Sequence, residues 1–224
     1  ISVDLKRNPK VIETKTQTYY ANSVVIATGA SARKLGLPGE EELLGRGLSY
    51  CAACDGMFFK DKTVVVIGGG NSAAGDALLL SRICRKVILI HRGKKLQATQ
   101  IYHAPLMTTE NIEIRQNSTV TELLHDNKLC GVRVKDMGSS EESIIGCEGV
   151  FVCVGRKPET EIVKEQLELD ANGYIAAGED TKCNIPGVYA VGDVRTKPLR
   201  QVVSAAADGA VCVQMAEEFL AAMV

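Results

Sequence analysis

The 224-residue chain has almost no net charge: 26 Lys and Arg stand against 27 Asp and Glu, for −1 at pH 7. That balance leaves no electrostatic footprint for nucleic acid or an acidic bilayer, so neither is expected as a partner. Long apolar runs are absent too. "TVVVIG" and "GVFVCVG" are too short and too β-branched to span a membrane. The N-terminal "ISVDLKRNPK" has no apolar signal core, and Ile1 rather than Met comes first, so the chain is not expected to begin where its gene does. A second Cys-x-x-Cys is missing, which argues against a zinc ribbon, and no metal site is expected.

Of the eight cysteines, Cys84, Cys130, Cys147, Cys153, Cys183 and Cys212 are scattered through apolar runs or beside turns. They read as small hydrophobes in a reducing compartment, with a cytoplasmic location expected. Only Cys51 and Cys54, in "CAACDG", form a motif.

Strand and helix patterns alternate along the chain. Residues 10–20 and 23–29 are β-rich, the second stretch running into a turn at Thr28-Gly29. "LGLPGEEELLGRG" reads as a linker. The β-branched run at 63–67 predicts a buried parallel strand. Gly68-Gly69-Gly70 follow, then a helical period through Ala73, Ala77, Leu80 and Cys84, then the strand "KVILI" at 86–90. Together these make a βαβ unit of about thirty residues. A helix over "LQATQIYHAPLM" is expected to break at Pro105. The stretches beginning "IEIR", "LCGV" and "SIIG", the last ending in Gly155, predict a small antiparallel meander. "VYAVGD" ends a strand in Gly192-Asp193, and a helix is expected over roughly 200–222.

The expected fold class is α/β, with two Rossmann-like nucleotide-binding domains, one inserted in the other. Residues 36–154 are expected to form the inserted nucleotide domain and residues 1–35 with 155–224 the flanking one. Both links contain a proline, Pro38 and Pro158.

Gly68, Gly70 and Ala73 spell GxGxxA between strand and helix. The first glycine permits a tight turn, the second lets backbone approach a pyrophosphate, and Ala73 lets the helix pack closely. The helix N-terminus, with Asn71 and Ser72, then faces the anion. NAD binders usually end the next strand in an acid, whereas here it ends in His91-Arg92 with Lys94 and Lys95 following. Cations there suit a ribose phosphate and favour NADPH; the plain alternative is a solvated basic loop. Cys51 and Cys54 are spaced to alternate between dithiol and disulfide. Asp55 beside them is a candidate acid or base, or simply a turn residue before Gly56. Thr28-Gly29 and Gly192-Asp193 resemble contacts of flavin-binding folds, with Asp193 facing a ribitol hydroxyl or else serving as a cap.

"ATGASARKLGLPGE", "CAACDG", "VVVIGGGNSA", "IHR", "LELDANGYI", "IPGVYAVGDV" and "RQVVSAAADG" occur in the order seen in low-molecular-weight thioredoxin reductases, and the resemblance runs along nearly the whole chain. It implies a homodimeric, FAD-containing, NADPH-dependent disulfide oxidoreductase that passes electrons through the Cys51–Cys54 disulfide to thioredoxin. Cys54 is then the sulfur nearer the flavin and Asp55 the proton-handling acid. Asp193 becomes a flavin contact, with Arg200, Gln201 and Val202 on the isoalloxazine side.

Two features depart from that family. No N-terminal GxGxxG unit for the FAD pyrophosphate is present, so the flanking FAD domain is expected to be incomplete. The phosphate pattern HRRxxxR is also thinned, with Gly93 and Gln97 at the two later arginine positions. Restoring both arginines is expected to tighten NADPH. The alternatives are a relative taking electrons from another donor, such as ferredoxin, and a non-catalytic nucleotide-binding fragment.

Overall fold

The computed structural model describes residues 1–223. The chain folds as two compact units, one of Ile1–Ser31 with Arg156–Val224 and one of Ala32–Gly155. The division falls a few residues from the Pro-containing links. Arg33 N–H donates to the Gly155 carbonyl at 2.9 Å, and the buried Glu40 carboxylate accepts the Leu35 and Gly36 N–H groups, each at 2.8 Å. Those bonds hold residues 33–36 and Gly155 in the inserted unit.

In chain order the strands are β1 (Ser2–Asp4), β2 (Lys10–Glu13), β3 (Thr18–Ala21), β4 (Val24–Ile26) and β5 (Ala30–Ala32), then β6 (Leu48–Ser49), β7 (Thr63–Ile67), β8 (Lys86–Ile90) and β9 (Ile112–Arg115). There follow β10 (Ser118–His125), β11 (Leu129–Asp136), β12 (Glu142–Gly146), β13 (Gly149–Val152), β14 (Arg156–Pro158) and β15 (Val188–Ala190). The helices are α1 (Ala52–Asp55), α2 (Asn71–Ser81), α3 (Gln100–Thr108) and α4 (Val202–Ala221).

The inserted unit is built on a parallel sheet in the order β6-β13-β7-β8-β9. Both its faces are covered, which explains the unbroken apolar runs of β7 and β8. Val65, Ile67, Ile88 and Ile90 pack with Val120, Val132, Val134 and Ile145 of the β10-β11-β12 meander. Val64, Val66, Val87 and Leu89 pack with Ala73, Ala77 and Leu80 of α2 and Leu106 of α3. Alternate residues thus serve opposite cores, as a strand of period two requires.

The β-rich "KVIETKTQTYY" folds as a hairpin, with Lys10–Glu13 paired to Thr18–Ala21. Two sequence expectations change. Pro105 lies inside α3 without breaking it. The donor it lacks would serve the carbonyl of Ile101, a residue 77% exposed, where water can substitute. The expected meander is divided, since β9 and β13 join the parallel sheet and only β10, β11 and β12 are antiparallel. A positive φ of 52° at Asn117 marks the point where the chain leaves the sheet between β9 and β10. Short alternating strands carry no mark of which sheet they will join.

In the flanking unit β1, β2 and β3 form an antiparallel sheet and β4 pairs in parallel with β15. Leu5, Ile26, Val163, Ile175, Val188 and Val194 form its core. β5 pairs with β14. No described helix is long and apolar enough to cross a membrane.

Candidate active site

Cys51 is the N-cap of α1, and its Sγ accepts the Cys54 N–H at 3.2 Å. One helical turn brings the two sulfurs together, and they are joined as a disulfide with Cα atoms 5.3 Å apart. Ser49 stands just before, buried on β6. Its hydroxyl donates to Asp55 Oδ2 at 2.6 Å and accepts the Cys51 N–H at 3.0 Å. On the other flank Tyr50 donates to Glu40 Oε1 at 2.7 Å; burial and this carboxylate push its phenol upward. Neither Ser49 nor Glu40 was singled out in the sequence. Ser49 could have been found, because a hydroxyl two residues before a thiol and six before a carboxylate is within reach of both.

The other thiols contrast with this pair. Burial pushes the Cys84 thiol up to about 11 and those of Cys147 and Cys183 up to about 12. Such thiols hold their protons at neutral pH and are poor nucleophiles. No metal-ligating cluster occurs among the described residues.

In the same unit a cleft of about 740 Å³ opens at the carboxyl ends of β7, β8 and β13. Gly68 has φ +151°, and a Cβ there would run into the Cys153 carbonyl and stand 2.9 Å from the Ala73 Cβ. Only glycine fits, and Ala73, fully buried, makes the close helix–strand contact. Gly70 is the reverse case, with nothing within 4 Å of where its Cβ would stand. That open space lies at the N-cap of α2, where unpaired N–H groups favour an anion. Ser72 lines the same wall.

Asn71 and His91 both line the cleft and are also tied into the fold. The Asn71 side-chain oxygen accepts the Thr99 N–H at 2.8 Å, so it tethers the following loop. That loop also donates Gln97 and Ala98 N–H groups to the Gly69 carbonyl at 2.7 and 2.9 Å. His91 lines the cleft but is buried, its Nε2–H donating to the Lys95 carbonyl at 2.9 Å. A Cβ on Gly69 would overlap the His91 ring. The imidazole therefore supports the glycine turn from beneath, and Arg92, exposed, is the cation facing out of the strand end. Arg33, unremarked in the sequence, lines the cleft beside Gly155. The thiol of Cys153, also on the cleft wall, donates to Asp76 Oδ2 at 3.1 Å.

In the flanking unit Thr28 Oγ1 donates to the Glu159 carbonyl at 2.6 Å, and Gly29 turns with φ +75°. Gly192 (φ +72°) and Asp193 form a single 3-10 turn, with Asp193 Oδ2 accepting from Arg156 at 3.4 Å. Arg200 stacks 3.8 Å over Tyr174 and donates to the Asp193 carbonyl at 3.4 Å. Gln201 caps α4 reciprocally with Ser204, and Val202 is 87% exposed at its first turn. A buried cluster behind the turn escaped sequence reading. Asp208 takes two bonds from Arg195, at 2.8 and 2.6 Å, one from Lys197 at 2.6 Å and one from the Gly192 N–H at 2.8 Å.

One α/β unit thus carries both a disulfide within a single turn of helix and a glycine-turn cleft. The chain belongs to the pyridine nucleotide-disulphide oxidoreductase family, whose profile matches residues 1–209. It is 42% identical over 212 residues to the thioredoxin reductase of Listeria monocytogenes, covering 94% of this chain and 66% of that protein. It is 41% identical to the thioredoxin reductase of Mycolicibacterium smegmatis, covering 98% and 71%. The crystal structure of the thioredoxin reductase from Streptococcus pyogenes superposes with a TM-score of 0.91 at 35% identity, covering 99% of this chain and 72% of that one. The chain thus spans about two thirds of the length of these relatives.

Proposed function

We propose that this chain is the redox-active part of a flavoprotein that reduces thioredoxin at the expense of NADPH. The observation that carries the reading is the Cys51–Cys54 disulfide, standing in the same unit as a cleft shaped for a dinucleotide. The unit Ala32–Gly155 is the NADPH domain in this reading, and Ile1–Ser31 with Arg156–Val224 is part of the FAD domain. The relatives are thioredoxin reductases by name, which supports thioredoxin as the acceptor. A homodimer in the cytoplasm completes the proposal.

The residues present fit NADPH. Gly70 leaves room for a pyrophosphate at the start of α2, and Arg92 supplies a guanidinium for a ribose phosphate. For FAD the chain offers the Gly192-Asp193 turn and Thr28-Gly29, with Arg200, Gln201 and Val202 beside them in sequence. When bound, these groups supply the electron pair that reduces the disulfide. Reduction breaks the Cys51–Cys54 bond and consumes two electrons and two protons. Asp55, next to Cys54, holds the proton that moves on or off the thiolate. Cys51 or Cys54 then attacks the disulfide of thioredoxin, and the other resolves the mixed disulfide, closing the S–S bond again.

The test is NADPH-dependent thioredoxin reduction by the full-length protein reconstituted with FAD. Cys51→Ser and Cys54→Ser should each abolish turnover. Turnover that survives either substitution removes the disulfide from the mechanism.

A further inference from the structure

We propose that Ser49 is a positioning residue for disulfide exchange, fixing the Asp55 carboxylate and the Cys51 backbone with one hydroxyl. This deepens the reading above and rests on the Cys51–Cys54 pair being redox-active. The observations come from three elements. Ser49 is 2% exposed and sits on β6, whose neighbour β13 pairs Phe151 with it inside the parallel sheet. It is therefore held by the core, whereas Asp55 ends a helix of four residues. A serine hydroxyl has one proton. Two acceptors lie near it, Asp55 Oδ2 at 2.6 Å and the Cys51 carbonyl at 3.4 Å. The shorter, charge-assisted bond takes the proton. The lone pair that remains accepts the Cys51 N–H at 3.0 Å. Asp55 N–H in turn donates to the Cys51 carbonyl at 3.1 Å. The result is a closed ring of polar contacts through Cys51, Ser49 and Asp55.

Its chemical consequence follows from where the proton must go. When a dithiol reductant opens the disulfide, its thiolate bonds to one cysteine sulfur and the S–S bond breaks. The released cysteine leaves as thiolate and takes a proton. The reductant's second thiol then displaces the other cysteine, which also takes a proton, and the reductant ends as its own disulfide. A carboxyl that handles these protons must stay in one orientation while the sulfurs separate. Ser49 supplies that orientation from rigid sheet, and it also holds the backbone of the cysteine at the helix start.

The test uses dithiothreitol as the reductant, so that neither flavin, nucleotide nor thioredoxin enters the measurement. The rate of Cys51–Cys54 reduction is followed against pH in the full chain. Ser49→Ala is expected to slow it about tenfold and to give the pH profile of Asp55→Asn. The double variant should be no slower than the slower single one, because Ser49 acts only through the Asp55 carboxylate, which Asn already removes. Ser49→Thr, which keeps the hydroxyl, should retain the wild-type profile. Additive losses in the double variant, or a wild-type profile in Ser49→Ala, would overturn the proposal. Should Ser49→Ala fail to fold by circular dichroism, Ser49→Thr decides: folded Thr variant with the Asp55→Asn profile also overturns it. A wild-type chain that exchanges with dithiothreitol but whose parent does not reduce thioredoxin would sink the functional reading and leave this one standing.

Discussion

Asp208 accepts the Gly192 N–H at 2.8 Å while bound to Arg195 and Lys197, so one buried carboxylate anchors the turn that carries Asp193. Burial alone would push that carboxyl up. The hydrogen bonds from Arg195, Lys197 and the Gly192 N–H overcome it and hold Asp208 well below the usual carboxylate range.

A depressed native pKa stabilises the fold above the unfolded-state value, about 3.9 for Asp, and that contribution is lost as pH falls through the native one. The unfolding midpoint of the chain is therefore expected to decline in acid, below about pH 4. Asp208→Asn should flatten that decline and cost about 3–5 kcal/mol at neutral pH, because Arg195 and Lys197, both buried, lose their close carboxylate and keep only backbone carbonyls and the longer contact of Arg195 with Glu179. Denaturant titration at pH 7 and below pH 4 checks both effects; unchanged acid sensitivity in the variant would remove Asp208 as its source.

Gly68 and Gly70 are expected to separate folding from binding. Gly68→Ala forces a Cβ into the Cys153 carbonyl at a positive φ and should destabilise the inserted unit by several kcal/mol. Gly70→Ala meets no neighbour at φ −90° and should melt like wild type. It should nevertheless weaken nucleotide binding about tenfold or more, by filling the approach to the helix N-terminus. Thermal melts beside nucleotide titrations report the two outcomes; equal melting losses would show the turn to be uniformly tight.

Thiol labelling should follow burial. After reduction at about pH 8, alkylation is expected at Cys51, Cys54 and the exposed Cys130. Cys84, Cys147 and Cys183, pushed up to about 11, 12 and 12, should stay unmodified in the folded chain. Mass mapping that finds Cys147 modified as fast as Cys54 would contradict this.

The donor prediction is altered by the structure. Sequence alone suggested that arginines at both 93 and 97 would tighten NADPH. A Cβ on Gly93, however, stands 2.6 Å from His91 Nε2, on a ring already fixed by the Lys95 carbonyl. Gly93→Arg is thus expected to disturb the loop and give no net gain. Gln97→Arg, on the cleft wall, should alone tighten NADPH about tenfold with NADH unchanged. Arg92→Ala should reduce the NADPH preference in the same assay, run at one salt concentration because screening weakens these bonds. Equal NADPH and NADH affinities in wild type would refute the preference, and failure of FAD-loaded protein to bind either nucleotide would send the search to another donor.

Local chemistry was legible in the sequence where a residue acts through its own backbone or a near neighbour. The β7 strand, the glycine turn, the buried Ala73 and the paired Cys51 and Cys54 all follow from spacings under about ten residues. Contacts formed by distant segments were not legible. Asp208 meets Gly192 across sixteen residues, and Asn71 meets Thr99 across twenty-eight. A strand-end histidine exposes its type but not its direction, so the packing of His91 beneath Gly69 was not legible either. The side to which β9 and β13 would commit was hidden for the same reason, since pairing partners are chosen by the whole sheet.

The imidazole under Gly69 also limits how this cleft can be re-engineered. Residues 69 and 91 form a matched pair in which the absence of a side chain on one makes room for the ring of the other. A smaller residue at 91 would leave a void beneath the turn, and any side chain at 69 would need that void. Attempts to change coenzyme preference by swapping the strand-end histidine for an acid would therefore shift the glycine turn itself. The positions free for redesign begin at Arg92 and run outward along the loop, and a library that varies 91 needs to vary 69 with it.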